Sequence, residues 1–230
     1  MIVQPKRVTW QRWLNLRKSP YSLLRSIEYE MIQGIKLQGN ILDLGGGAKS
    51  SYNSIFKVEG DLFSVNIDSS MHPTVFGDLN QVLPFAAGAF DCIISLNTFE
   101  HIYHDEVTIS ESLRVLRPGG KFYFVIPFLF YIHASPGDYH RHTAFWWKDF
   151  LLQSGIKPES LTIEPLVWDA LTSVISLYEH RRITRMFRKI FMLYAVIKQA
   201  NIRKLVREPG LDGAYNSNYP LGYFIFGQKP

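Results

Sequence analysis

Short apolar runs recur along the 230-residue chain, and stretches with helical spacing fall between them. Ile41, Leu42 and Leu44 predict a buried strand over 40–44, and Phe63, Val65 and Ile67 predict a second over 62–67. Further strands are predicted over 73–76, 90–95, 120–126, 160–167 and 221–228. Leu23, Leu24, Ile27, Met31, Ile32 and Ile35 repeat with helical spacing. Pro20 stands before them and Gly34 near their end, so a helix is predicted over 21–35. Trp10, Trp13, Leu14 and Leu16 suggest a short helix nearer the N-terminus. Helices are also predicted over 50–57, 105–116 and 144–154. This alternation implies a mainly parallel sheet with helices on both faces.

An insertion, 169–215, separates the last two predicted strands. From 183, its apolar positions are Ile183, Met186, Phe187, Ile190, Leu193, Tyr194 and Ile197. They form one helical stripe, and most of the cations lie off it. Charge sharpens this picture. The chain carries +5, yet nine of its 25 basic residues lie within 181–207, where there is no acid. With those nine set aside, the 20 acidic residues outnumber the remaining cations. The core is therefore mildly acidic, and one segment makes the chain basic. Three readings stay open for that segment: a helix packed on the domain with a solvated basic face, a helix lying on an anionic membrane surface, or a site for an anionic partner.

The hydrophobic fraction of 47% is that of a globular protein. The lone cysteine, Cys92, sits in an apolar strand and excludes an internal disulfide, which fits a reducing compartment. The longest apolar run, 122–132, is too short to span a bilayer and contains Pro127. The N-terminus has no signal-peptide pattern, so a cytoplasmic location is expected.

Candidate chemistry begins where the first strand ends. Asp43-Leu-Gly-Gly-Gly47 closes it, and Asp68 stands at the end of the second strand. In open α/β sheets, ligands bind beyond the carboxyl ends of the strands, where an acid can accept ribose hydroxyls. The third glycine of a dinucleotide fingerprint falls on Ser50. The phosphate-binding P-loop is excluded by Ala48 and by Asp43 in place of its glycines. A cationic nucleoside without phosphate suits D-x-G-x-G with a ribose acid, and S-adenosylmethionine is such a ligand.

The chain here resembles the class I S-adenosylmethionine-dependent methyltransferases. Asp43-Leu-Gly-Gly-Gly47 is similar to their first motif. Gly77-Asp78-Leu79 with Leu83-Pro84-Phe85 resembles the adenine-contacting stretch. Phe90 to Ser95, through Phe99-Glu100-His101-Ile102, resembles the fourth strand and its following loop. Leu113 to Gly120 resembles the turn before the fifth strand. Pro136 to Thr143, followed by Leu151 to Gly155, resembles a subgroup tied to bacterial cell-surface glycan synthesis. The departures are Ala48-Lys49 and the stretch from 169 to 215.

The resemblance implies a Rossmann-like, seven-stranded, mainly parallel sheet with an antiparallel last strand and helices on both faces. It implies one methyltransferase domain over 1–230, with a helical cap at 1–37. It assigns S-adenosylmethionine to Asp43, Gly45, Gly47, Asp68, Asp78, Leu79 and Asn97. Asp43 would order the first loop and reach the methionine amino group, Asp68 would accept both ribose hydroxyls, and Asp78 and Leu79 would frame the adenine. The acceptor is expected to be a small or glycan-linked hydroxyl, with a possible surface contact between 181–207 and the inner membrane.

Histidine suits removal of a hydroxyl proton near neutral pH. His101 follows the fourth strand, while His133, His140 and His142 follow the fifth, so His101 and His133 are the candidate catalytic residues. The competing reading of the second group is a capping and packing loop, with Thr143 capping the helix at 144. His101-x-x-His104 has metal-like spacing, but no cysteine or acid cluster completes it, so no metal is expected. RNA methylation, favoured only by the basic segment, and a non-catalytic binding module are the alternative functions. The sequence sets no oligomeric state.

Overall fold

The computed structural model describes residues 1–134, 136–177, 182–205 and 218–230. Its strands are β1 (Lys36–Leu44), β2 (Lys57–Asn66), β3 (Val75–Phe76), β4 (Phe90–Leu96), β5 (Leu116–Pro127), β6 (Leu161–Leu166) and β7 (Gly222–Gln228). They form one sheet in the order β3-β2-β1-β4-β5-β7-β6. The first five run parallel, and β7 lies antiparallel between β5 and β6. This is the predicted Rossmann-like arrangement. β1 and β2 are longer than their apolar runs, because their polar first halves pair from Lys36 with Lys57 onward.

Helices α1 (Trp10–Leu16), α2 (Leu23–Ile32), α3 (Asp105–Val115), α4 (Ala144–Gln153), α5 (Ala170–Ser176) and α6 (Arg182–Leu205) surround the sheet. Thr9, Ser22, Thr143 and Asp169 each accept a backbone N–H at the start of α1, α2, α4 and α5. Alternation along the strands divides the core between the two faces. Ile93, Phe122 and Phe124 pack with Ile109 of α3 and with Trp147 and Leu151 of α4. Cys92, Ile94 and Val125 pack on the other face with Leu24 and Ile27 of α2, Trp168, and Met192 of α6.

The predicted helix over 50–57 does not form; turns occupy 51–55, and Lys57 already opens β2. The segment's side chains compete for the backbone that a helix would need. Ser50 Oγ accepts from Gly47 N, and Asn53 Nδ2 donates to Gly47 O. Tyr52 and Phe56 are drawn into the core.

The insertion forms α5 and α6, but α6 turns a different face inward from the one its hydrophobic pattern predicts. Arg188, Met192, Ala195 and Val196 are buried, whereas Met186, Phe187, Ile190, Tyr194 and Ile197 are each at least 44% exposed. The inner face is fixed by polar anchors as well as apolar ones. Trp13 Nε1 donates to Lys189 O, Trp168 Nε1 to Met192 O, and Arg188 to the carbonyls of Tyr21 and Ser19. Arg188 is therefore no part of a solvated basic face. Arg181 and Arg207 lie outside the described residues.

Candidate functional site

A cleft of about 560 Å³ opens at the carboxyl ends of β1, β2 and β4. Of the residues assigned from the sequence, Gly45, Asp68, Asp78, Leu79, Asn97 and His101 line it. Ile67, Met71 and Ile102 add apolar wall. Asp43, Gly47 and His133 are not among its lining residues.

Asp43 lies beneath the floor, fully buried, with the Tyr52 hydroxyl 3.0 and 2.9 Å from its two oxygens. Burial pushes its pKa up to about 7, and the Tyr52 hydrogen bond opposes that rise. A side chain at Gly46 would collide with this carboxyl. Gly45 has φ +84°, and a Cβ there would strike Thr98. Neighbouring protein atoms alone already require glycine at both places.

At the cleft's edge, Asp68 caps a 3-10 turn over Ser69–Met71, with Oδ1 accepting from Ser70 N at 2.8 Å. The Ser70 hydrogen bonds hold its carboxyl below the ordinary aspartate range. Asp78 Oδ1 accepts from Asn80 N and Nδ2, both at 2.9 Å. The structure adds Asn66, which sequence reasoning missed. Its Nδ2 donates to Gly45 O at 2.6 Å and to Gly46 O at 3.2 Å, while its Oδ1 accepts from Asp68 N at 2.8 Å. One side chain thereby fixes the glycine loop to the end of β2. Its position at the last residue of β2, two before Asp68, was the available signal.

Asn97 sits in the left-handed region at φ +52° and lines both the cleft and a smaller pocket of about 40 Å³. Glu28, Glu100 and His133 also line the smaller pocket. Asn97 Nδ2 donates to Glu28 Oε2 at 3.2 Å. Glu28 Oε1 and both Glu100 carboxylate oxygens are buried without a hydrogen-bond partner among the described residues. Burial raises both carboxyl pKa values, that of Glu100 to about 8.

His101 packs edge-on against His133, with ring centroids 4.8 Å apart. The loop after β5 thus brings the two predicted catalytic histidines together. Its other histidines hold the loop down. His142 Nε2 lies 2.8 Å from Asp105 Oδ2 and its ring stacks on Trp146, while His140 Nε2 lies 3.1 Å from Tyr103 O. Tyr139 N donates to Glu100 O at 2.7 Å.

Strand order, cleft and glycine loop together define the Rossmann-like methyltransferase fold. Known proteins agree. Residues 42–124 match the family model described as a methyltransferase domain. A ubiquinone/menaquinone biosynthesis C-methyltransferase from Nitrosospira multiformis is 28% identical over 107 residues, 39% of this chain and 43% of that protein. The protein of the same name from Pseudomonas fluorescens is 26% identical over 108 residues, 39% of this chain and 42% of that one. The match spans less than half the length of these curated relatives. Among solved structures, Haemonchus contortus phosphoethanolamine N-methyltransferase 2 in complex with S-adenosyl-L-methionine superposes with TM-score 0.53 at 15% identity, over 96% of this chain and 53% of that one. A SAM-dependent methyltransferase from Archaeoglobus fulgidus gives TM-score 0.51 at 17% identity, over 90% and 91% of the two chains. At such identities the superpositions establish the fold. Among the described residues, no helix is long and apolar enough to cross a membrane.

Proposed function

We propose that the protein transfers a methyl group from S-adenosylmethionine to a hydroxyl of a small or glycan-linked acceptor. The observation that carries this reading is the convergence of Gly45, Asp68, Asp78 and Leu79 on one cleft at the carboxyl ends of the strands. Two carboxylates and apolar walls suit a cationic nucleoside, and nothing in that donor set is built for a phosphate. We read 1–230 as one methyltransferase domain, with 1–37 as its cap and 169–215 as its insertion.

When bound, the sulfonium supplies an already activated methyl group. The protein's task is then to hold acceptor and donor at reacting distance and to receive a proton. Asp68 would accept the ribose hydroxyls, with Asp78 and Leu79 beside the adenine. Asp43 would act through the loop it orders, since its carboxyl is covered by Tyr52. His101 and His133 stand on the acceptor side, next to Asn97. Burial lowers the His101 pKa, so its ring is neutral near pH 7 and able to take a proton. The likeness of Pro136 to Thr143 to the glycan-synthesis subgroup supports a glycan-linked acceptor. Calorimetry with S-adenosylhomocysteine and with NAD tests the donor assignment. Binding of the nucleoside alone is expected; no nucleoside heat, or tighter NAD binding, would sink it. Methyl transfer from labelled donor into acceptor extracts separates an enzyme from a binding module.

A second reading concerns location. Exposed Met186, Phe187, Ile190, Tyr194 and Ile197, beside exposed Lys189 and Lys198, favour contact of α6 with an anionic bilayer. A lipid-carried glycan precursor would lie at the same surface. Sedimentation with anionic and neutral vesicles at low salt tests it. Equal binding to both vesicle types, or binding that survives Ile190→Ser with Lys189→Gln, would remove the role.

A further inference from the structure

We infer that Glu100, His101 and His133 form a binding site for a divalent transition-metal cation, beside the cleft and open toward the small pocket behind Asn97. One ligand atom from each of the three side chains lies within 4.8 Å of the other two. Glu100 and His101 are neighbours in the chain, and His133 arrives from the loop after β5. His104, the partner that sequence spacing suggested, takes no part.

The hydrogen bonds around the cluster already resemble those of a metal site. His101 Nδ1 lies 2.5 Å from Gly137 O. A carbonyl only accepts, so Nδ1 carries the proton, and the neutral ring presents a lone pair at Nε2. That lone pair faces Glu100 Oε1 at 3.5 Å. Among the described residues neither Glu100 oxygen has a hydrogen-bond partner, and the residue is 1% exposed. A buried carboxylate facing an imidazole lone pair needs a positive centre between them, either a proton or a cation. The 3.5 Å separation is close to the edge of a tetrahedron around a cation with bonds of about 2.0–2.1 Å.

His133 Nδ1 lies 3.2 Å from Tyr131 O and 3.5 Å from Asp138 Oδ2. Both rings are thus held through Nδ1 by a backbone carbonyl, the outer-shell bond that commonly orients ligating imidazoles.

Two imidazoles and one carboxylate suit zinc and its first-row neighbours, and are poorly matched to calcium or magnesium. Three protein ligands leave a position for a water or an acceptor oxygen; with a cation on Nε2, His101 would act by holding that cation, which lowers the pKa of the bound oxygen, and not by taking the proton itself. The second His/carboxylate cluster, Asp105 with His140 and His142, is the weaker candidate. Its contacts already form satisfied hydrogen bonds: His142 to Asp105 and His140 to Tyr103 O.

The inference rests on this geometry and not on methyl transfer, and its test needs neither donor nor acceptor. The full chain is stripped with chelator and titrated with Zn²⁺ by competition calorimetry, and with Co²⁺ by visible absorption. One equivalent of tight binding with a tetrahedral Co²⁺ spectrum is expected. Glu100→Gln and His133→Ala should each weaken it by at least the roughly tenfold to hundredfold that an outer-shell loss costs. Asp105→Asn should leave it unchanged. Circular dichroism and thermal melting confirm that each variant is folded. Absence of binding by the wild type would overturn the inference in favour of a shared proton. Binding that survives both cluster variants, or that is lost in folded Asp105→Asn, would overturn it as well.

Discussion

The Tyr52 hydroxyl donates at about 3 Å to both oxygens of Asp43, and both residues are buried under the glycine loop. An unfolded aspartate titrates near 3.8, whereas burial holds this one at about 7. Between those pH values the folded state keeps a proton that the unfolded state has lost. Stability therefore falls as pH rises through this window, and Asp43 adds no slope above it. Asp43→Asn should flatten the wild-type decline between about pH 4 and pH 7, a contribution on the order of a few kcal/mol. Urea unfolding across that range measures it; identical slopes in both proteins would refute the assignment.

Asn66→Ala removes the clamp between the glycine loop and β2. Stability should drop by about 1–2 kcal/mol through the lost hydrogen bonds. Affinity for S-adenosylhomocysteine should fall with it, because Gly45 and Asp68 lose their common support. Melting and calorimetry on the same variant check both effects. Loss of stability with unchanged affinity would show that the clamp is purely structural.

Asp68→Ala should behave differently. Asp68 is exposed and its one backbone cap is to Ser70 N, so stability should fall by no more than about 0.5–2 kcal/mol, while nucleoside affinity falls by about tenfold to a hundredfold. An affinity equal to wild type would remove Asp68 from the ribose site.

His101→Ala and His133→Ala should lower methyl-transfer turnover and leave donor affinity nearly constant. General acid–base groups commonly contribute about a hundredfold or more. If either variant binds donor much more weakly, that histidine belongs to the donor site instead.

Arg188 and Lys189 are adjacent but should respond oppositely. Arg188→Gln breaks buried bonds to Tyr21 O and Ser19 O and should cost about 1–3 kcal/mol. Lys189→Gln, on the exposed face, should change stability by less than about 0.5 kcal/mol. Denaturant titration of the two variants decides between the observed face and the one the hydrophobic pattern predicts.

The strand sequence, most helices and several of the residues that line the cleft were legible in the chain, because alternation and glycine spacing are local signals. Ile41, Leu42 and Leu44 announce β1, and Asp68 falls two residues after β2 as expected. The cluster of Glu100, His101 and His133 was not legible, since 32 positions separate His133 from His101 and only the folded loop closes that gap. Turns over 51–55 replaced the predicted helix because Ser50 and Asn53 hydrogen-bond to Gly47 and Tyr52 reaches Asp43. Likewise, periodicity established that α6 is a helix, but its orientation depended on what lay opposite. The carbonyls of Ser19 and Tyr21 drew Arg188 inward, and Trp13 and Trp168 anchored the same face. Local sequence determines which backbone conformation each segment favours; only tertiary packing decides which distant polar groups must be satisfied, and therefore which face turns in.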